Sequence, residues 1–451
     1  QTALLKQLNK MKNHTKYLIL IITIVFCLSL AHSFVFKIRP AVDARAYNTI
    51  AENIVKGNGY KEDANAPMEK DVSIIRVGPG YELFLAGVYR AFGFHYEVVW
   101  VFQAIFQSLI ALFVFLISRQ ILKNNWSPII GLSASALIGF SPDLIVASSM
   151  LLTENLAIFL LIGCLYFFFR YWDGGNWIDI ILFSIIFSFS ILARSQFIFL
   201  SPLFLVFFFT RKQWIKMAVF CAIILIVFSP WVIRNYKIYN EFIPFNAAMG
   251  YNLWDGNHMG ASGEMEIDYQ PLINYAETHT PVETHQKGIE EFKGFLIEHP
   301  VEFAKLTLKR ISIFFSLSRP TGFWPDFSGL QKIITAGLSL IYSVFLFSLS
   351  LAGIVILFKN NQIKKEKKLM FFLCLTILIP LSVAFILVET RYRYPIYPFL
   401  AVFSGITIAN IISDKKNIKI LGLSFIFLLA NAFGDFIFNF EKFYNNLKNL
   451  L

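Results

Sequence analysis

Runs of about 20 predominantly apolar residues recur along the whole of this chain, each long enough to cross a hydrocarbon core about 30 Å thick as a helix. Composition agrees: 56% of the residues are hydrophobic and only 15% charged, where a soluble chain carries about a quarter charged. Mean hydropathy is +0.60. The expectation is an all-α polytopic membrane protein.

The formal net charge of +11 could suggest nucleic acid. The excess Lys and Arg instead lie in short segments between apolar runs, as in cytoplasmic loops, so no nucleic-acid partner is expected. Cys27, Cys164, Cys221 and Cys374 all sit inside apolar runs without ligand spacing and read as small buried hydrophobes.

Lys6, Lys10, Lys12 and Lys16 precede an apolar run from about Tyr17 to Phe36, which places the N-terminus in the cytoplasm and makes this run an uncleaved first span. Further spans fit 98–118, 127–141, 150–169, 177–193, 196–210, 215–233, 331–358, 369–388, 394–412 and 419–438, about eleven in all. The stretch 81–94 reads as a surface or partly inserted helix. Arg119, Lys123, Arg170, Arg211, Lys212, Lys216, Lys359 through Lys368, Lys415, Lys416 and Lys419 then all fall on the cytoplasmic side. The expected organisation is one transmembrane domain, 1–438, with a first extracytoplasmic loop (37–97), a large extracytoplasmic loop (234–330) and a short outer tail (439–451).

The first loop predicts a helix from Ala44 to Lys56, ended by Gly57, which Asp43 could cap without being excluded from chemistry. In the large loop, Gly250 to Asn257 reads as a turn-rich loop, and Thr280-Pro281-Val-Glu283 as a capping box opening a helix that stops near His299-Pro300. From Val301 to Ser318 a basic amphipathic helix is expected in the interface plane. His258, His279, His285 and His299 lack tight ligand spacing and read as solvated, so no metal site is expected of them.

With this topology the unusual polar residues fall on one side: Asp43, Arg45, Glu52 and Arg76; Asp143 and Glu154; Arg194; Arg234; and Glu389, Arg391, Tyr392 and Arg393. Ionisable groups at membrane depth are costly and tend to line a cavity or pathway. Each also has a plainer reading. Arg234, Arg391 and Arg393 could snorkel to the interface, Glu154 could pair structurally with Arg194, Arg76-Val-Gly-Pro-Gly could be only a turn, and Trp254 could be an interfacial anchor and not a sugar-stacking platform.

The ordered set Asp43…Tyr47…Gly57-Asn-Gly59-Tyr60, Arg76…Pro79-Gly80-Tyr81, Thr153-Glu154, Ala193-Arg194, Pro230-Trp231…Arg234-Asn235-Tyr236, Gly250…Asn257, Pro300…Phe303 and Glu389…Arg391-Tyr392…Pro395 resembles the GT-C superfamily. Within it, the set is most similar to the polyprenyl-phosphate-sugar-dependent group of protein O-mannosyltransferases and lipid A aminoarabinose transferases. The resemblance spans most of the chain. It implies a GT-C-type fold and inverting transfer of one sugar from a polyprenyl-phosphate carrier to an acceptor hydroxyl on a glycan, lipid or protein, at the outer face of the inner (plasma) membrane. It implies Asp43 as the base. Arg194, Arg234, Arg391 and Arg393 are the candidates for the donor phosphate, because guanidinium forks suit phosphate, with Lys309 and Arg310 in reserve. Arg45, Tyr47, Arg76, Glu154, Tyr392 and Trp254 are expected to support the site. Many relatives carry a second acid directly after that aspartate. Here the position is Ala44, which speaks against a metal or shared carboxylates in the first loop and leaves Glu154 as a second carboxylate. No cofactor is called for, and the need for a divalent cation stays open. A transporter or flippase for a lipid-linked sugar, and an O-antigen ligase or polymerase, are the alternatives.

Overall fold

The computed structural model describes residues 2–123, 125–266, 268–319 and 327–440, with side chains from residue 13 onward. Among them every regular element is helical: α1 (Thr2–Phe36), α2 (Asp43–Lys56), α3 (Pro79–Phe92), α4 (Tyr96–Ile121), α5 (Ser127–Gly139), α6 (Pro142–Ser148), α7 (Glu154–Trp172), α8 (Trp177–Ala193), α9 (Ser201–Thr210), α10 (Trp214–Tyr239), α11 (Ala248–Gly256), α12 (Gln270–Thr278), α13 (Pro281–Glu298), α14 (Pro300–Phe314), α15 (Gly329–Lys359), α16 (Gln362–Lys365), α17 (Lys367–Ala384), α18 (Tyr397–Ser413) and α19 (Ile418–Phe438). Of the expected tail 439–451, residues 441–451 lie outside the described residues, as does part of the large loop.

Eight helices among the described residues are long and apolar enough to span, and α5 with α6 makes a ninth, bent by 54°. Trp177–Ala193 and Ser195–Thr210 are apolar but shorter. The eleven expected segments are therefore all helical, nine of them in helices or a bent pair long enough to span and two, 177–193 and 196–210, in shorter ones. The chain is a multi-pass membrane protein.

Burial sorts centre from rim. In the span containing α18, 72% of the most apolar stretch is buried, against 11% in α10 and 17% in the last span. Small residues let the central helices touch. A Cβ on Gly353 of α15 would lie 2.2 Å from the Phe403 carbonyl oxygen, and one on Gly405 of α18 2.5 Å from that of Ile130. Ser404 and Thr407 donate across to the carbonyls of Leu346 and Leu349. Cys164 is buried as expected, but Cys27 and Cys221 face outward because α1 and α10 lie at the rim.

The two ends of the bundle differ. At one, Lys123 after α4, Asp173 after α7 and Lys368 at the start of α17 meet, with Lys–Asp contacts of 2.8 and 2.5 Å. The other gathers the two loops. In the first, α2 runs from Asp43 to Lys56 and Gly57 closes it in the left-handed conformation, as expected. In the large loop the capping box at Thr280 and Glu283 forms, and Pro300 opens α14. Three expectations give way there. Residues 248–256 form α11 instead of a turn-rich loop, because Gly250 and Gly288 let α11 and α13 approach backbone to backbone. For the same reason His285 is half-buried against α11, bonded to Gly250 N–H at 3.0 Å, and is not solvated. Arg310 of α14 is fully buried and points inward, to Gly256, Asn257 and Ala384, instead of lying in the interface.

The turn Gly78-Pro79-Gly80 holds the first loop against the bundle. A Cβ on Gly80 would sit 2.5 Å from the Ala193 nitrogen and one on Gly78 2.7 Å from the Leu192 oxygen, so only glycines allow α3 to meet the end of α8. Gly80→Ala is expected to destabilise by about 1–3 kcal/mol through this overlap. Gly87→Ala, in the same helix with open space around it, should stabilise slightly, by up to about 1 kcal/mol. Thermal unfolding of the two purified variants in detergent checks the pair, and equal behaviour would remove the close approach as the reason for Gly80.

Candidate functional site

Asp43 is the first residue of α2 and not its N-cap: Val42 occupies that place, and no side chain caps the helix. The Val42 backbone has φ +46° and ψ −117°, a region that costs a β-branched residue roughly 1–3 kcal/mol. The carboxylate is turned away from the helix N–H groups toward the loop after α17. There Asp43 Oδ2 lies 2.8 Å from Arg391 Nη2. Its other oxygen, Oδ1, is 3.8 Å from Arg76 Nη1, too far for a hydrogen bond. The Asp43 side chain keeps 22% exposure, enough for a reactant to reach it.

Each of these guanidinium groups has a second carboxylate. Arg391 Nε donates to Glu389 at 2.8 Å. Arg76 donates to Glu62 through Nε at 2.9 Å and Nη2 at 2.6 Å. A row Glu62–Arg76–Asp43–Arg391–Glu389 results, and within it Glu62 escaped the sequence reading because nothing in its spacing marks it. Behind the row lies the buried pair Arg194–Glu154, with Nη1 3.2 Å from Oε1 but no hydrogen bond made by that nitrogen. The Arg194 guanidinium also lies over the Tyr392 ring, 5.3 Å from its centre, and Arg391 lies 6.0 Å from the same ring. Tyr47 is buried edge-on to Tyr81, 5.7 Å between ring centres. Burial first, then the neighbouring Asp43 charge, hold the Tyr47 phenol well above its ordinary pKa, so it keeps its proton.

The other expected residues go elsewhere. Arg234 donates to the Tyr60 carbonyl at 3.2 Å and lies over Tyr60, Trp231 and Tyr239, holding the first loop to α10. Arg393 is buried, bonded to the carbonyls of Ser316 and Arg319 and to Tyr397, whose hydroxyl donates to Asp143. Asp143 also accepts from Ser339, so it belongs to an internal network joining α6, α15 and α18. Trp254 is buried against Tyr269 and Tyr275. Arg45 is exposed, two residues and so about 200° round α2 from Asp43.

Comparison with known proteins bears on this arrangement. Residues 76–233 match the family model described as dolichyl-phosphate-mannose-protein mannosyltransferase. Among solved structures, the oligosaccharyltransferase of Archaeoglobus fulgidus, in its complex with zinc and sulfate, superposes with a TM-score of 0.54 at 14% identity, over 92% of this chain and 52% of that one. The same enzyme tethered to an acceptor peptide gives 0.53 at 14% identity, over 93% and 54%. This chain has the GT-C fold.

ArnT from Cupriavidus metallidurans bound to undecaprenyl phosphate is also similar, with a TM-score of 0.44 and 12% identity over 88% of this chain and 79% of that one. The chain spans about half the length of the archaeal enzyme. No curated protein matches it significantly in sequence.

An apolar cavity of about 420 Å³ lies between α14, α15, α17, α18 and α19, lined among others by Phe315, Phe347, Pro380, Leu400 and Phe427. The Arg393 guanidinium lies over its Phe347 at 5.5 Å, and Arg393 follows Arg391 by two residues. Among the described residues no three His, Cys, Asp or Glu side chains are arranged to hold a metal, and the site's carboxylates face the chain's own guanidinium groups.

Sequence reasoning also passed over Glu82. It is fully buried in α3, its Oε1 accepts from the Tyr60 hydroxyl at 3.1 Å, and its Oε2 has no partner. Burial pushes its pKa from 4.5 up to about 8. The folded protein therefore holds a proton that the unfolded chain releases above pH 4.5, and stability falls as pH rises from there through about 8. Glu82→Gln keeps the acceptor for Tyr60 and cannot ionise. Its melting temperature should gain on that of the natural protein as pH rises through this window; a constant difference would show that Glu82 does not titrate there.

Proposed function

We propose that the chain is a membrane glycosyltransferase that moves one sugar from a polyprenyl-phosphate carrier to an acceptor hydroxyl, with inversion, at the extracytoplasmic face. The observation that carries this reading is Asp43: a partly exposed carboxylate with one oxygen against Arg391 and the other without a hydrogen bond. An alcohol is a poor nucleophile, and a positioned base that takes its proton in the transition state contributes about 10²–10⁴-fold.

In this mechanism Asp43 Oδ1 accepts the proton as the acceptor oxygen bonds to the sugar's anomeric carbon. The bond from that carbon to the carrier phosphate breaks on the opposite side, and its electron pair stays on the phosphate. Arg194 stabilises the developing charge, since its Nη1 is buried without a hydrogen bond and needs an acceptor. The carrier tail occupies the apolar cavity beside Phe347. The Lys123, Asp173 and Lys368 cluster at the opposite end of the bundle supports this orientation, since short basic links favour the cytoplasmic side.

Release of polyprenyl phosphate from its sugar-charged form is measured in membranes that also contain the natural acceptors. Asp43→Asn and Asp43→Ala should lose about 10²–10⁴-fold while the protein still inserts and purifies folded. Near-normal turnover by either would remove Asp43 as the base. Arg194→Ala is expected to weaken the reaction about 10- to 100-fold, the range for a lost charged hydrogen bond. Mass spectrometry of envelope glycans and carrier sugars in a deletion strain would show the missing product beside the accumulated donor.

A further inference from the structure

Arg391 divides its donors between two acids. Nε is bonded to Glu389 and Nη2 lies against Asp43, each at 2.8 Å. One positive charge thus faces two negative ones, and a phosphate arriving there would meet net negative charge. Arg194 differs: it faces one acid, Glu154, and its Nη1 makes no hydrogen bond.

The backbone carrying Arg391 is also fixed in place. Arg391 lies in the short turn Thr390–Ile396, where Tyr394 is fully buried. Two residues on, Arg393 is anchored to the carbonyls of Ser316 and Arg319 and to the Tyr397 hydroxyl. On the other flank the Val388 N–H bonds the Gly263 carbonyl at 3.1 Å. A guanidinium on so rigid a turn can set the direction of a carboxylate that arrives from α2, whose own first turn does not cap it.

We propose that Glu389 and Arg391 form an orienting clamp for Asp43. Arg391 holds Oδ2 and so directs Oδ1 at the acceptor hydroxyl; Glu389 fixes Arg391; neither binds the donor phosphate. Both are positioning residues, and the assignment rests on the reading of Asp43 as base.

The test measures kcat, KM for the polyprenyl-phosphate sugar and the pH dependence of turnover in Arg391→Gln and Glu389→Gln. Arg391→Gln should lower kcat roughly 10- to 100-fold, as misplacement of a reacting group does, with donor KM within about threefold of normal. Its acid limb should move to higher pH, because a positive charge has left the Asp43 carboxylate. Glu389→Gln should lower kcat less and move the acid limb to lower pH, because Arg391 then acts on Asp43 undivided. A raised donor KM with kcat preserved in Arg391→Gln would make Arg391 a phosphate ligand and overturn the clamp. An unmoved acid limb in Glu389→Gln would reduce Glu389 to a scaffold and overturn it too; if Arg391→Gln does not fold, this milder variant decides. Asp43→Asn separates the two ideas. If it stays active, the base reading fails; if it is inactive while the limbs stay still, only the clamp fails.

Discussion

The contact between Asp43 and Arg391 joins the start of α2 to the turn after α17, and the end of the bundle that gathers the two loops brings those two groups together. As a source of stability it is minor, since a pair this exposed contributes at most about 1 kcal/mol. What places it is packing. Gly78 and Gly80 bring α3 within backbone contact of α8, and α2 rests on α3 through Tyr47 and Tyr81. Removing a Cβ at two positions in the first loop therefore sets the depth of a carboxylate at the other end of that loop.

Much of this was legible in the residues. Apolar length identifies the spans because hydrocarbon leaves the backbone no partner but itself, and the capping box at Thr280 and the terminator Gly57 act locally, so they appear where local rules place them. Asp43, Arg76, Glu154, Arg194 and Arg391 stand out as charges beside apolar runs. What could not be read is which charges meet. Glu62 matters through Arg76, fourteen residues on, Arg391 through Asp43 on another element, and Glu82 because it is buried under Tyr60. Likewise α11 forms because Gly250 meets Gly288 across another helix, a contact that no local window contains.

The arginines show how one residue type divides between structure and chemistry. Arg310 and Arg393 are buried and directed mainly at main-chain carbonyls. Five fixed donors suit them to collecting carbonyls at helix ends, where orphan acceptors would otherwise be stranded. They pin the large loop to α17 and α18. Arg234 does similar work for the first loop, with aromatic faces beside the Tyr60 carbonyl. Of the described arginines at this end, Arg76, Arg194 and Arg391 face carboxylates around Asp43 and Glu154. A sequence shows the cations; only the number of carbonyls within reach separates those already occupied from those with donors to give.

Val42 argues for the same division from the backbone. A β-branched residue at φ +46° that is 74% exposed gains little from packing that could offset its strain. A relaxed N-cap would leave the following carboxylate near the helix N–H groups, where the helix dipole holds negative charge. The strained turn instead delivers Asp43 to Arg391. Strain of this kind persists where the surroundings over-determine it, and here they do, since α2 is held by α3, α3 by α8, and the Arg391 turn by Arg393. The carboxylate is left with one oxygen held and one oxygen free, the arrangement that receiving a single proton requires.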